Sequence, residues 1–201
     1  MKFDIILPTT GRPSLITTIN SVLAQDHQDF HLWVVCDGFN SKEACWPMDH
    51  KWLLPRHMGR ILGSDLKCHE DYGAWARNEG IRQGKAEWIA YIDDDDIWLP
   101  NHLSTISSLL EASPHATMIR TAGQSFYWRR KSPRTKKVVR KMGQPNTTDI
   151  LTVGMAHTRE LFKLTEGWRP EDNHDRTLWN EMKNVGGVAV ESNTITFEFA
   201  R

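Results

Sequence analysis

The sequence predicts an α/β protein built on one open, twisted, mostly parallel sheet flanked by helices, with a smaller antiparallel β region in its second half. Three observations carry this prediction. Short apolar runs (FDIIL, FHLWVVC, WIAYI) stop abruptly at polar residues, as buried parallel strands do at the carboxyl edge of such a sheet. Stretches with helical spacing of apolar residues stand between those runs. Beyond Ala116 the pattern turns to alternation and hairpin-like segments.

Phe3 to Leu7 reads as the first buried strand, broken by Pro8-Thr9-Thr10-Gly11-Arg12-Pro13. Pro13 suits the first turn of a helix, in which Leu15, Ile16, Ile19, Val22 and Leu23 recur at helical spacing. A second strand, Phe30 to Cys36, ends in Asp37-Gly38. A strand–helix–strand unit of this length implies parallel pairing through a right-handed crossover. Residues 40–55 read as loop with a short helical turn, and Gly59 to Leu62 as a short third strand. Glu70 to Arg82 is expected to be a helix stopped by Gly84. Trp88 to Ile92 is a further strand, ending in Asp93 to Asp96, with a helix expected at once, marked by Leu103, Ile106, Leu109 and Leu110 and ended by Pro114.

In the second half, Ala116 to Thr121 reads as a strand. Ser125 to Trp128 and Lys137 to Lys141 pair as a hairpin around the tip Arg129 to Lys136. Ile150 to Met155 is expected to be a short strand and Arg159 to Leu164 a short helix. Leu178, Trp179, Met182 and Val185 form the apolar stripe of a last helix stopped by Gly186-Gly187, and Thr194 to Phe199 closes the chain as a strand.

The 201 residues fit one domain with one core. Formal net charge is zero, which gives no bulk attraction to nucleic acid or to an anionic membrane. No apolar run reaches the length of a membrane span and MKFDIILPTT has no signal-peptide layout, so no transmembrane segment and a cytoplasmic location are expected. Three cysteines without a C-x-x-C pair fit a reducing compartment. Cys45, His50, His57, Cys68 and His69 have spacings that match no closed tetrahedral zinc site. The basic run Arg129 to Lys137 reads as a solvated hairpin tip rather than a nucleic-acid contact.

The chemistry is expected at Asp93 to Asp96. Four adjacent carboxylates repel one another and call for a cation, and oxygen-only ligands suit a hard divalent ion such as Mn²⁺ or Mg²⁺. The plainer alternative is a solvated acidic turn that caps the next helix.

The order of these motifs resembles family-two glycosyltransferases of the GT-A fold. The resemblance rests on Pro8 to Pro13, Ser21-Val22-Leu23-Ala24-Gln25, Val34-Val35-Cys36-Asp37-Gly38, Ala76-Arg77-Asn78-Glu79-Gly80-Ile81, Trp88 to Pro100, and Asp175-Arg176-Thr177-Leu178-Trp179. It implies a metal-dependent, inverting transfer of a sugar from a nucleotide-diphosphate sugar, with UDP the expected nucleotide. The acceptor would be a hydroxyl of a glycan, lipid or protein. Residues 1–96 would form the nucleotide-binding half and 97–201 the acceptor-side half of a single domain. By motif position, Asp95 contacts the metal, and Asp93 or Asp94 holds the ribose or reaches the metal through water. Asp37 accepts from the nucleobase, while Pro8, Thr9, Thr10, Arg12 and Arg77 lie against nucleotide and phosphates. Asp175 is the expected base, with Asp172 and Glu171 as nearby substitutes and a helix N-cap as its plainer role. Trp98, Trp168 and Trp179 are candidates for sugar stacking or for the core.

Four positions depart from the pattern. Thr10 replaces a frequent aromatic, Gly11 a frequent asparagine, Cys36 the first acid of Asp-Asp-Gly, and His174 the acid that often precedes the base. These changes bear on nucleotide identity more than on reaction class. Two rivals follow from the same features. A nucleotidyltransferase would want a first loop rich in glycine and lysine, whereas this loop has Gly11, Arg12 and no lysine. A sugar-nucleotide-binding module would have lost the base.

Overall fold

The computed structural model describes residues 1–37, 58–61, 72–131, 134–145 and 147–199, with backbone alone at 58–61 and 126–140. The expectations for residues 40–55 and for a zinc site at Cys45 to His69 lie outside the described residues.

Every residue of β1 (Phe3–Thr9) is buried. Its side chains alternate between two cores, which is why the strand reads as a continuous apolar run. Phe3, Ile5 and Leu7 join α1 (Leu15–Leu23) and α3 (His102–Ala112) on one face. Ile6 joins α2 (Ala74–Gln83), the short α4 (Arg159–Phe162) and α5 (His174–Asn184) on the other. Gly80 of α2 lets that helix lie close on the sheet, since a Cβ there would stand 2.8 Å from Ile6 Cγ2.

Strands β2 (Phe30–Cys36), β3 (Met58–Ile61) and β4 (Trp88–Tyr91) complete a parallel half in the order β3-β2-β1-β4. The chain moves outward from β1 through β2 to β3, then returns to the other side of β1 to form β4. The strand order therefore reverses between β1 and β4, and a crevice opens at their carboxyl ends, where such sheets bind ligands.

Beyond β4 the sheet continues through β8 (Met155–Thr158), β6 (Met118–Lys131), β9 (Ala189–Phe199) and β5 (Ile97–Trp98), with β7 (Arg134–Met142) on β6. Most of these ladders are antiparallel, and β6 with β9 is parallel. The expected antiparallel region in the second half is present.

Several boundaries differ from the sequence reading. No helix follows the aspartates at once: Ile97–Trp98 first pairs with β9, and α3 begins at His102 after the N-cap Asn101. Asp96 therefore does not cap that helix. Residues 152–154 form a 3-10 turn, and the strand follows it at Met155–Thr158, where it fills the gap between β4 and β6. The hairpin is longer and its tip shorter than expected, with Lys131 opposite Arg134. β9 begins at Ala189 because Ala189 and Val190 pair with Met118 and Ile119. Val185 lies past the end of α5 and is exposed, so the apolar stripe ends at Met182. Cys36 is disulfide-bonded, which an odd cysteine count without a C-x-x-C pair did not signal.

β6 and β9 meet with Gly123 directly beside Phe197. A Cβ on Gly123 would lie 2.1 Å from the ring of Phe197, which is fully buried. Gly123→Ala is expected to destabilise the fold by about 2–3 kcal/mol, the upper part of the usual overpacking range. Urea unfolding of the two proteins checks this, and an unchanged midpoint would contradict it.

Candidate functional site

A cavity of about 400 Å³ lies at the crevice between β1 and β4. Its wall contains every donor-side and metal-side residue predicted from sequence: Pro8, Thr9, Thr10, Arg12, Asp37, Arg77, Asp93, Asp94 and Asp95. Tyr72, Gly73, His174 and Phe199 complete it.

The four aspartates have four different surroundings. Asp94 is buried, and its Oδ2 accepts from Thr9 Oγ1 at 2.7 Å and from the Thr10 amide at 3.1 Å. Thr9 Oγ1 in turn accepts from the Gly11 amide at 2.9 Å, and Gly11 adopts a φ of 80° that a side chain would resist. Asp94 thus fastens the first loop to the end of β4. Asp93 is half-buried and accepts from Arg77 Nη2 at 2.6 Å. Asp95, also half-buried, takes an ion pair from Arg12, whose Nη1 stands 3.6 Å from Asp94 Oδ1 as well. Asp96 is fully buried; its amide donates to Asp93 O at 3.1 Å, and its carbonyl accepts from Thr18 Oγ1 of α1 at 2.8 Å. That last pair sets the shape of the turn.

Arg77 is held from three sides. Besides Asp93, its Nη1 donates to Tyr72 O at 2.7 Å, and its guanidinium lies 4.9 Å from the Trp168 ring centre. Gly73 (φ 75°) makes room, since a Cβ there would stand 2.9 Å from Arg77 Nη1. Trp168 is anchored by Asn78, which donates to its carbonyl at 2.9 Å and accepts from its amide at 3.1 Å. Burial raises the pKa of Asp95 above the usual carboxylate value, and the charges of Asp93 and Asp94 add to this against the opposing pull of Arg12.

Asp93 and Asp95 supply the hard oxygen donors that Mn²⁺ or Mg²⁺ prefers. Among the described residues no three histidine, cysteine or acidic side chains close around one point.

Asp175 stands in the first turn of α5, whose N-cap is Asn173, so it is not the cap. It is not part of the cavity wall, although its neighbour His174 is. Its Oδ1 accepts from the Arg176 amide at 2.7 Å. Burial raises its pKa, and Asp93 adds to the rise while His174 and Arg77 oppose it. Asp93 therefore acts electrostatically on both Asp95 and Asp175. Burial and the Arg77 charge lower the pKa of His174.

Sequence reasoning missed Tyr72 and Phe199 and treated His174 only as a departure. Tyr72 is exposed, sits at a φ of 54° and has its ring 6.2 Å from that of His174. Tyr72 and Gly73 fell inside the helix expected from Glu70, whereas α2 begins at Ala74 after the N-cap Gly73. Trp98, Trp168 and Trp179 are all buried, which makes them packing residues rather than exposed stacking faces.

An open sheet with a polar, partly charged cavity at its switch point defines a ligand-binding α/β domain of the doubly wound kind. Its family is more specific. The model of glycosyl transferase family 2 matches residues 4–165, and the chain belongs to that family. Asp175 lies outside the matched residues. The putative colanic acid biosynthesis glycosyl transferase WcaA of Escherichia coli K12 is 35% identical over 105 residues, which cover 50% of this chain and 35% of that protein. The chain thus spans about a third of the length of the curated relatives it matches. Staphylococcus aureus TarS in complex with UDP-GlcNAc superposes with a TM-score of 0.75 at 16% identity, over 100% of this chain and 59% of that one. The mannosyltransferase PcManGT of Pyrobaculum calidifontis, in complex with GDP-Man and Mn²⁺, gives 0.71 at 15% identity, over 98% and 56%. These likenesses show the GT-A-type fold expected from the sequence.

Proposed function

We propose that this chain carries the donor site of a metal-dependent, inverting glycosyltransferase that moves a sugar from a nucleotide-diphosphate sugar, with UDP as the favoured nucleotide, to an acceptor hydroxyl. One observation carries the reading. The first loop and the aspartate turn, 84 residues apart at Thr10 and Asp94, are hydrogen-bonded together around a single cavity that also holds two arginines. Carboxylates and guanidinium groups set side by side are what a diphosphate with its cation requires.

In this reading Asp95 and Asp93 hold the cation. A bound Mn²⁺ or Mg²⁺ would offset the charge that grows on the departing diphosphate. Arg77, immobilised by Asp93, Tyr72 and Trp168, presents a fixed positive charge beside the phosphates. Asp37, buried at the end of β2 with its amide bonded to Thr9 O at 2.8 Å, faces the nucleobase. Inversion is a single in-line displacement, so one carboxylate must take the acceptor proton, and in this reading that base is Asp175 in the first turn of α5, whose other carboxylate, Glu181, is paired with Arg169. The bound sugars named for TarS and PcManGT support a nucleotide-sugar donor, and the Mn²⁺ named for PcManGT supports a divalent ion.

The test is a donor panel of UDP-GlcNAc, UDP-Glc and GDP-Man, each with Mn²⁺, Mg²⁺ or EDTA, read by thermal shift and by product. Stabilisation by a donor that needs the cation, with release of nucleoside diphosphate and free or transferred sugar, is expected. A parallel assay with UTP and a sugar 1-phosphate tests the rival, and formation of UDP-sugar with release of pyrophosphate there would make the protein a nucleotidyltransferase. Donor binding without turnover would make it a binding module. Equal turnover in EDTA would remove the metal from the scheme.

A further inference from the structure

The two arginines of the cavity are held very differently. Arg77 is buried and tied down by Asp93, by the Tyr72 carbonyl and by the Trp168 face. The Arg12 side chain is 52% exposed, and among the described residues its ionic partners are Asp95 and Asp94. It follows Gly11, whose left-handed φ lets the loop turn sharply at that point. A long, half-exposed side chain joined mainly to one half-exposed carboxylate is weakly held. Yet that carboxylate is the one proposed to meet the divalent cation. A guanidinium and a divalent ion repel each other and cannot share the Asp95 oxygens at close range.

We propose that Arg12 is a resident counter-cation of Asp95 that competes with the divalent ion for that carboxylate, and that it moves to the donor diphosphate when ion and donor bind together. The inference rests on the metal reading of Asp95 and adds an order to it. Cation alone must displace a positive charge from the cavity, so it binds poorly. Cation with diphosphate gives the displaced guanidinium a better partner, because a planar fork matches phosphate oxygens in two places at once. Ion and donor then favour each other's binding, as linkage requires of any such coupled pair.

The experiment titrates Mn²⁺ alone, by calorimetry, into the full chain and its Arg12→Gln, Arg12→Lys and Asp95→Asn variants, then titrates UDP at saturating Mn²⁺. Melting temperatures confirm that each variant is folded. Arg12→Gln is expected to bind Mn²⁺ alone about three- to tenfold more tightly than the unaltered protein, as removal of one nearby screened charge implies. The same variant is expected to bind UDP with Mn²⁺ about tenfold more weakly, the loss of one charge-assisted contact. Arg12→Lys keeps the charge and should stay close to the unaltered protein in Mn²⁺ alone. The opposite signs for ion and nucleotide are the signature, since a merely loosened loop would weaken both. Unchanged or weaker Mn²⁺ binding by Arg12→Gln overturns the competition while leaving the metal site in place. Mn²⁺ binding that ignores Asp95→Asn instead removes Asp95 as a ligand, and both readings fall on a result that does not involve Arg12.

Discussion

Asp175→Asn is expected to lower the rate of sugar transfer by about 10²–10⁴-fold, the range that a positioned general base contributes, while donor binding in the presence of Mn²⁺ is unchanged. Asparagine has nearly the same shape, and its Oδ1 can still accept the Arg176 amide that Asp175 accepts at 2.7 Å. What it lacks is a site for the acceptor proton. The pH dependence has a definite sign. Burial raises the Asp175 pKa above the usual carboxylate value, with a further push from Asp93. A base works only when ionised, so kcat/KM should fall as pH drops through that raised pKa. The acid limb is therefore expected above the ordinary carboxylate range. Stability follows the same displacement in the opposite sense. Folding favours the protonated form, so this carboxyl contributes its stability below its unfolded pKa and loses it as pH rises through the raised folded value. At neutral pH Asp175→Asn should consequently melt no lower than the unaltered protein. A residue kept for structure would show the reverse, with a lower Tm and little change in rate. Transfer that continues at an undiminished rate in the variant would reject the base assignment.

The sequence exposed the parts of this protein that depend on local periodicity. FDIIL and WIAYI are buried on both faces, and FHLWVVC is buried but for the half-buried His31 and Trp33, so a central strand explains such runs. The cavity wall was legible for a related reason: in an open sheet the polar residues that end adjacent strands must meet. Thr9, Asp37 and Asp93 to Asp95 end β1, β2 and β4, and all five line the same crevice. What stayed hidden depends on partners distant in sequence. Ile97–Trp98 becomes a strand only because Phe197 and Glu198 lie alongside, and Ala189–Val190 only because β6 does. The individual tasks of the four aspartates were equally invisible. Their identity is the same, and the difference comes from Thr9 at Asp94, Thr18 at the Asp96 carbonyl, Arg77 at Asp93 and Arg12 beside Asp95 and Asp94, all reaching in from other elements.

Those tasks lead to the second large effect. Asp95→Ala is expected to remove the dependence of donor binding on Mn²⁺. Loss of a partner that merely orients a metal ligand costs about 10–100-fold in metal affinity, so loss of the ligand itself should cost about 100-fold or more. Calorimetry with a UDP-sugar, with and without Mn²⁺, reads this directly: the two isotherms should differ for the unaltered protein and coincide for the variant. Stability separates this role from that of the adjacent carboxylates. Asp94 is buried and carries the hydrogen bonds from Thr9 and Thr10, so Asp94→Ala should unfasten the first loop and lower Tm. Asp95 is different. Burial and the charges of Asp93 and Asp94 raise its pKa, so ionised Asp95 costs the fold stability above that range, and the half-exposed Arg12 pair and a backbone hydrogen bond offset that cost in part. Asp95→Ala should therefore retain the melting temperature of the unaltered protein at neutral pH while it loses the metal response. Mn²⁺-dependent donor binding by Asp95→Ala at undiminished affinity would place the ion elsewhere in the cavity.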